Sequence, residues 1–198
     1  DLVDPPDDLF PAILKVARFG YDGKGQVTVH DAAQALHAFN EFGGEACVLE
    51  KRLALDSEVS VVLAREASGS VTVFPVAENQ HRHGILDVSI TPARVDAALA
   101  TQARQLAEHI ATRLGYVGTL AVEFFISGGA LYVNEMAPRP HNSGHATIDA
   151  NLTDQYMQQV RALCGLPLGV PRAHSAAVMV NLLGDLWYRA GDERAHEP

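Results

Sequence analysis

Short apolar runs broken by glycine, proline and charge set the pattern of this chain, and each run predicts one element. Pro11 to Val16 reads as a strand and Gln26 to His30 as a second, with Asp22-Gly23 as a turn signal between them. Asp31 is placed to cap a helix running to about Asn40, which Gly43-Gly44 ends. Ala46 to Lys51 is an apolar strand that finishes in charge. Glu58 to Arg65 and Ser70 to Val76 form a strand pair turning at Ser68-Gly69.

Thr91-Pro92 reads as the N-cap and first residue of the best helix. Ala103, Leu106, Ala107, Ile110 and Leu114 recur at helical spacing and predict its core face, and Gly115 stops it. Thr119 to Ile126 and Ala130 to Glu135 are strands flanking Ser127-Gly128-Gly129. A second helix is predicted from about Leu152 to Leu163 and a last strand from Ala176 to Leu183. Turns this short join antiparallel strands, so the fold class is α+β with mainly antiparallel sheets. Residues 1–53 are expected to form a small unit and 54–198 a larger one, with a cleft between them as the default ligand site.

Composition narrows the function classes. With 47% hydrophobic and 20% charged residues the chain can bury a core, which excludes a disordered segment. No apolar run approaches the roughly 20 residues of a membrane span. Fifteen Lys and Arg against 24 Asp and Glu give a net charge of −9, which argues against nucleic acid as partner but leaves room for a local basic cluster that holds a small anion. Cys47 and Cys164 lack metal or redox spacing and read as buried thiols in a reducing cytoplasm. The chain opens on Asp1 and closes in a polar stretch, which predicts a fragment of a longer protein.

Four constellations carry candidate chemistry. Glu123 shares a strand face with Ala121 and Phe125, and Glu135 shares one with Leu131 and Val133, so both carboxylates are expected on apolar faces. A three-residue loop pairing Ser127 with Leu131 sets Glu123 opposite Glu135, whereas a two-residue loop sets it opposite Asn134. Opposed buried carboxylates destabilise a sheet unless something compensates them. A divalent cation, with Mg²⁺ favoured by all-oxygen ligation, is one answer. A shared proton, or one Glu turned to solvent, is the other.

Gly20-Tyr21-Asp22-Gly23-Lys24-Gly25-Gln26 is glycine-rich enough to approach an anion, although a hairpin turn also explains it; it matches neither a Walker A nor a dinucleotide fingerprint. Lys15, between Leu14 and Val16, points to the face opposite theirs. Glu50-Lys51-Arg52-Leu53, with Glu58 beyond, fits either an adenine edge with a ribose acceptor or a solvated strand end. Glu135 to His145 holds Pro138, Pro140 and Gly144 and reads as a loop. Those residues count against a helical zinc pair of His141 and His145 and favour substrate contacts.

Taken together, Lys15, GYDGKGQ (Gly20 to Gln26), Glu50 with Glu58, Asn79-Gln80-His81, Glu123 and NEMAPRPHNSGH (Asn134 to His145) resemble the ATP-grasp family, and within it the N5-carboxyaminoimidazole ribonucleotide synthetases. The resemblance implies an ATP-grasp fold and ATP bound through Lys15, Glu50, Lys51, Leu53, Glu58 and His81. It implies Mg²⁺ on Glu123 and Glu135. Tyr21, Lys24 and Arg139 would stand at the reacting groups, with Asp22, His141, Asn142, Ser143 and His145 on the substrate. The implied reaction carboxylates aminoimidazole ribonucleotide with bicarbonate and ATP, by way of carboxyphosphate, in a cytoplasmic enzyme of purine biosynthesis that is often a homodimer. A ligase like the formate-dependent glycinamide ribonucleotide transformylase, and a non-catalytic nucleotide-binding fragment, are the alternatives.

Overall fold

A computed structural model describes residues 5–18 and 25–184. Among them the chain runs β1 (Ala12–Val16), β2 (Gln26–Val29), α1 (Ala32–Glu41), β3 (Cys47–Lys51), β4 (Ser57–Arg65), β5 (Val71–Val73), β6 (Ala77–Arg82), β7 (Ile85–Thr91), α2 (Ala97–Arg113), β8 (Gly118–Ser127), β9 (Ala130–Ala137), α3 (Thr147–Ala150), α4 (Gln155–Leu163) and β10 (Ala177–Val180). The α+β class and antiparallel pairing expected from the short turns are both present. Contacts divide the chain into two compact units, Asp1–Ala54 with His83–Ile85, and Leu55–Arg82 with Leu86–Pro198. No described helix is long and apolar enough to cross a membrane.

The smaller unit is the sheet β2-β1-β3 backed by α1. Ala12 and Leu14 share the inner face with Val29 and pack on Ala35 and Ala38 of α1. The Asp31 carboxylate caps α1, accepting from the Gln34 N–H at 2.8 Å. Alternation then turns Lys15 to the other face, as its apolar neighbours predict.

The larger unit is a seven-stranded sheet ordered β10-β7-β6-β4-β8-β9, with β5 paired to β4. Its two faces are chemically different. Val59, Val61, Leu63, Leu120, Val122, Phe124 and Ile126 alternate onto one face and pack against Ala103, Ala107 and Ala111 of α2. The residues between them, Glu58, Ser60 and Val62 on β4 with Ala121, Glu123 and Phe125 on β8, fall on the opposite face through the pairings Glu58 to Phe125, Ser60 to Glu123 and Val62 to Ala121. One strand pair thus builds a dry core on one side and presents acids on the other.

Several expectations are corrected. Thr91 ends β7 rather than capping a helix, and α2 begins six residues later after Asp96. Leu114 is exposed, and Ala103, Ala107 and Ala111 form the buried line of α2 in its place, with Leu106 and Ile110 half-buried beside it. β6 and β7 were not expected. The predicted second helix forms as α4, starting three residues later behind the Asp154 carboxylate cap, and the short α3 before it was not expected. Cys164 is exposed rather than buried, and Cys47 is half-buried.

The β8–β9 register departs from both alternatives. The loop is the two-residue Gly128-Gly129, whose φ values of 56° and 75° are those only a type I′ turn requires at both positions. Ser127 therefore pairs with Ala130, and Phe124 with Val133. A bulge between Phe124 and Glu123 then absorbs Asn134, and Glu123 faces Glu135 after all. The same bulge separates Glu135 from Leu131 and Val133: Leu131 packs on the α2 core, while Glu135 lies beside Glu123 on the other face.

Candidate functional site

In the smaller unit Lys15 reaches Glu50 diagonally across β1 and β3, with Nζ 2.6 Å from the carboxylate. Both side chains stay partly open to solvent, so the pair is worth little to stability and leaves the ammonium available to a second anion. Lys51 is exposed on the neighbouring position, Leu53 is half-buried, and the Arg52 N–H donates to the Pro11 carbonyl at 2.9 Å. Tyr21, Asp22 and Lys24 lie outside the described residues.

In the larger unit the acids gather on the polar face of the sheet. Glu123 on β8 is 7% exposed, and its partner across the bulge, Glu135, is exposed. Burial, then the Glu135 and Glu58 charges, push the Glu123 carboxyl up to about 7, against a partial offset from His81. His81 on β6 holds Glu58 on β4 through Nδ1 at 2.5 Å. That hydrogen bond, followed by the Glu58, Glu123 and Glu135 charges, raises the imidazole above its ordinary range despite burial. Three carboxyl groups and an imidazole whose pKa they raise therefore share one patch.

The segment after β9 supplies the other side. It is not all loop: β9 continues to Ala137, and Asn142–Gly144 forms a single 3-10 turn. His141 caps that turn and is 7% exposed. Burial first, then the Arg139, His145 and His81 charges, lower its pKa to about 4, so the ring is neutral at neutral pH. The Ser143 N–H points at Nδ1 (3.4 Å), and the Ser143 hydroxyl lies 2.9 Å away. A neutral ring that accepts at Nδ1 carries its proton on Nε2, which faces the Glu123 Oε1 at 3.8 Å. That separation, with a neutral ring, makes a polar contact rather than an ion pair.

Ligand atoms of Glu123, Glu135 and His141 lie within 4.8 Å of one another. Two carboxylates opposed across a strand pair, one of them buried, form a donor set suited to a hard divalent cation, which would remove the repulsion. The imidazole proton directed at Glu123 fits a hydrogen-bond donor better than a further ligand. His145 stands apart, its ring stacked on Tyr156 with centroids 6.4 Å apart, so the helical zinc pair does not form. Arg139 is exposed and donates to the Pro140 carbonyl at 2.9 Å, and the Asn142 Oδ1 accepts from the Ser143 N–H at 3.0 Å.

Sequence reasoning missed part of this network. Ser89 on β7, fully buried, donates to the Asn79 Oδ1 at 2.9 Å and approaches the Ser143 carbonyl at 3.4 Å, linking the sheet to the turn. Gln155 and Thr147, also buried, anchor the same turn from behind. Burial of an uncharged polar side chain has no signature in a single sequence, and neither residue sits in a motif.

The ATP-grasp domain model matches residues 8–156. The N5-carboxyaminoimidazole ribonucleotide synthase of Bacillus subtilis (strain 168) is 47% identical over 176 residues, covering 88% of this chain and 46% of the relative. An N5-carboxyaminoimidazole ribonucleotide synthetase solved as its ADP complex superposes with a TM-score of 0.83 at 48% identity, over 88% of this chain and 47% of that one. The ADP-complexed synthetase from Staphylococcus aureus gives 0.82 at 40% identity, with the same 88% and 47% coverage. The chain thus spans about half the length of the relatives it matches. The fold, the opposed carboxylates and the match over most of the chain together establish that it belongs to the ATP-grasp domain family.

Proposed function

We propose that this chain carries the ATP and metal site of a ligase that carboxylates 5-aminoimidazole ribonucleotide with bicarbonate. The observation that carries the reading is Glu123 opposed to Glu135 beside a neutral, buried His141. The names of its relatives supply the substrate class.

Glu123 and Glu135 would hold Mg²⁺, which when bound neutralises phosphate charge. Lys15 would add a cation toward the phosphates. Glu50 and the backbone of Lys51 to Leu53 would meet adenine, and Glu58, fixed by His81, would accept from ribose hydroxyls. His141, Asn142, Ser143, His145 and Asp22 would contact the ribonucleotide, with Tyr21, Lys24 and Arg139 near bicarbonate and the transferred phosphoryl group.

In the proposed chemistry a bicarbonate oxygen bonds to the γ-phosphorus as the bridging P–O bond breaks and ADP leaves. The exocyclic amine of the ribonucleotide then bonds to the carboxyl carbon of carboxyphosphate, phosphate departs, and the amine loses a proton. Side chains in such a transfer mostly position groups and balance charge. A neutral His141 suits this, because it can donate from Nε2 without adding positive charge. The same reading extends to a cytoplasmic homodimer.

The test is ADP release from Mg-ATP and bicarbonate, with and without aminoimidazole ribonucleotide. Release stimulated by the ribonucleotide is expected. Binding of Mg-ATP with no stimulated release would favour a nucleotide-binding module without turnover.

A further inference from the structure

His141 caps the single 3-10 turn Asn142–Gly144, and both His141 and Ser143 are buried. Thr147 and Ser89 reach the Gly144 and Ser143 carbonyls, but the side chain that grips the backbone of His141 is Gln155, the first residue of α4 and fully buried. Its Oε1 accepts from the His141 N–H at 2.9 Å, and its Nε2 donates to the His141 carbonyl at 2.7 Å. The amide therefore pairs with one residue's N–H and C=O as a neighbouring strand would, where no strand lies. Either bond alone would let the residue pivot. The two together fix the peptide planes on both sides of His141, and so the direction in which its side chain leaves.

The amide is itself held. The Gln155 N–H donates to the Thr147 Oγ1 at 3.1 Å, whose hydroxyl donates to the Gly144 carbonyl at 2.6 Å. The Gln155 carbonyl accepts from the Thr119 hydroxyl at 3.0 Å, tying α4 to β8, the strand that carries Glu123. At Gly144 an added Cβ would stand 2.5 Å from Oε1 and 2.8 Å from Cδ, so only glycine lets the turn approach the amide this closely. A side chain kept only for packing has no need of a glycine opposite its polar end.

We infer that Gln155 is a positioning residue for His141, acting by clamping its backbone so that the imidazole meets Glu123 and the ribonucleotide at a fixed angle. This deepens the proposed function and rests on it for the identity of the ligand. Gln155 itself touches no reacting atom.

The test has two arms, one independent of function. In the first, amide hydrogen exchange is followed in the wild type, in Gln155→Ala and in Gly144→Ala, which drives a methyl into the same amide. Protection at His141, Gly144 and His145 should fall by at least tenfold in both variants, while β4 and β8 keep wild-type protection. Unchanged protection at His141 in Gln155→Ala overturns the proposal whatever the protein's reaction proves to be.

The second arm compares Gln155→Ala, His141→Ala and the double variant in ribonucleotide-stimulated ADP release. Gln155→Ala should raise the KM for the ribonucleotide about tenfold and that for ATP less than twofold. Adding it to His141→Ala should cost less than a further twofold, because the residue it positions is gone. An equal loss in both backgrounds, or equal losses for the two substrates, would make Gln155 a general structural residue. A wild type that shows no ribonucleotide stimulation would count against the functional reading alone, and the exchange arm would still decide the clamp.

Discussion

Replacing Glu123 with glutamine should stabilise the cation-free protein at high pH. The carboxyl is pushed from 4.5 up to about 7 by burial and by the Glu135 and Glu58 charges. Each pKa unit corresponds to about 1.4 kcal/mol, so the charged form costs about 3 kcal/mol in the native state relative to the unfolded one. The sign follows from proton binding: a raised native pKa means the folded protein holds the proton more tightly. The cost is absent well below pH 4.5, grows as the pH rises and is complete above about 7. Glutamine keeps the volume and never ionises.

Thermal unfolding followed by circular dichroism in the presence of a chelator reads this directly. At about pH 8 Glu123→Gln should melt roughly 6–12 °C above wild type, since about 1 kcal/mol moves the midpoint of a chain this size by 2–4 °C. At about pH 5 most of that gap should close. Mg²⁺ should raise the wild-type midpoint at the higher pH and leave the variant's nearly unmoved. A variant less stable than wild type at both pH values would refute the reasoning, because Glu123 would then be a satisfied structural carboxylate.

Glu58→Gln should bring the His81 pKa down toward its ordinary 6.5, since the Glu58 hydrogen bond is the first cause of its rise, and an NMR titration of the ring would show it. The stability that wild type draws from this pair is full below 6.5 and is lost as the pH rises through the raised value. Lys15→Ala should cost less than about 1 kcal/mol in denaturant unfolding, as a partly exposed ion pair does, yet weaken ATP binding about tenfold by titration calorimetry. Equal, small effects on both would remove Lys15 from the phosphate site. Glu135→Gln should abolish metal-dependent turnover while leaving the fold intact; a loss of fold with catalysis unchanged in the remainder would make it structural.

The pairing of Glu123 with Glu135 was legible in outline because both lie on strands around an obvious glycine turn. Neither of the two loop lengths weighed included a bulge, however. Gly128-Gly129 makes a two-residue turn, and a bulge at Asn134 restores the pairing that such a turn would otherwise break. Bulges arise from pairing across the whole sheet, and nothing local in Tyr132 to Met136 announces one. β6 was missed for a related reason: Ala-Glu-Asn-Gln-His-Arg carries no apolar alternation, and it becomes a strand because β4 and β7 offer it a ladder on each edge.

Periodicity located α4 but said nothing of which side it buries. Gln155, Gln158 and Ala162 face inward, while Tyr156, Met157, Val160 and Leu163 are exposed. Hydrophobicity ranks the outer residues as core, and tertiary hydrogen bonding decides otherwise. The inward glutamines pair with backbone groups, Gln155 with His141 and Gln158 with Gly169, so burial costs them little. The motif at Asn134 to His145 was visible as chemistry, but the residues that hold it in shape were not.

In the proposed function, bicarbonate is activated by ATP on this chain and passed to an amine. Labelled bicarbonate, Mg-ATP and aminoimidazole ribonucleotide should yield label bound to the ribonucleotide in step with ADP, one carboxyl group for each ADP released, with none from Glu135→Gln. ADP released without transferred label, or folded protein that binds Mg-ATP and transfers none, would contradict it.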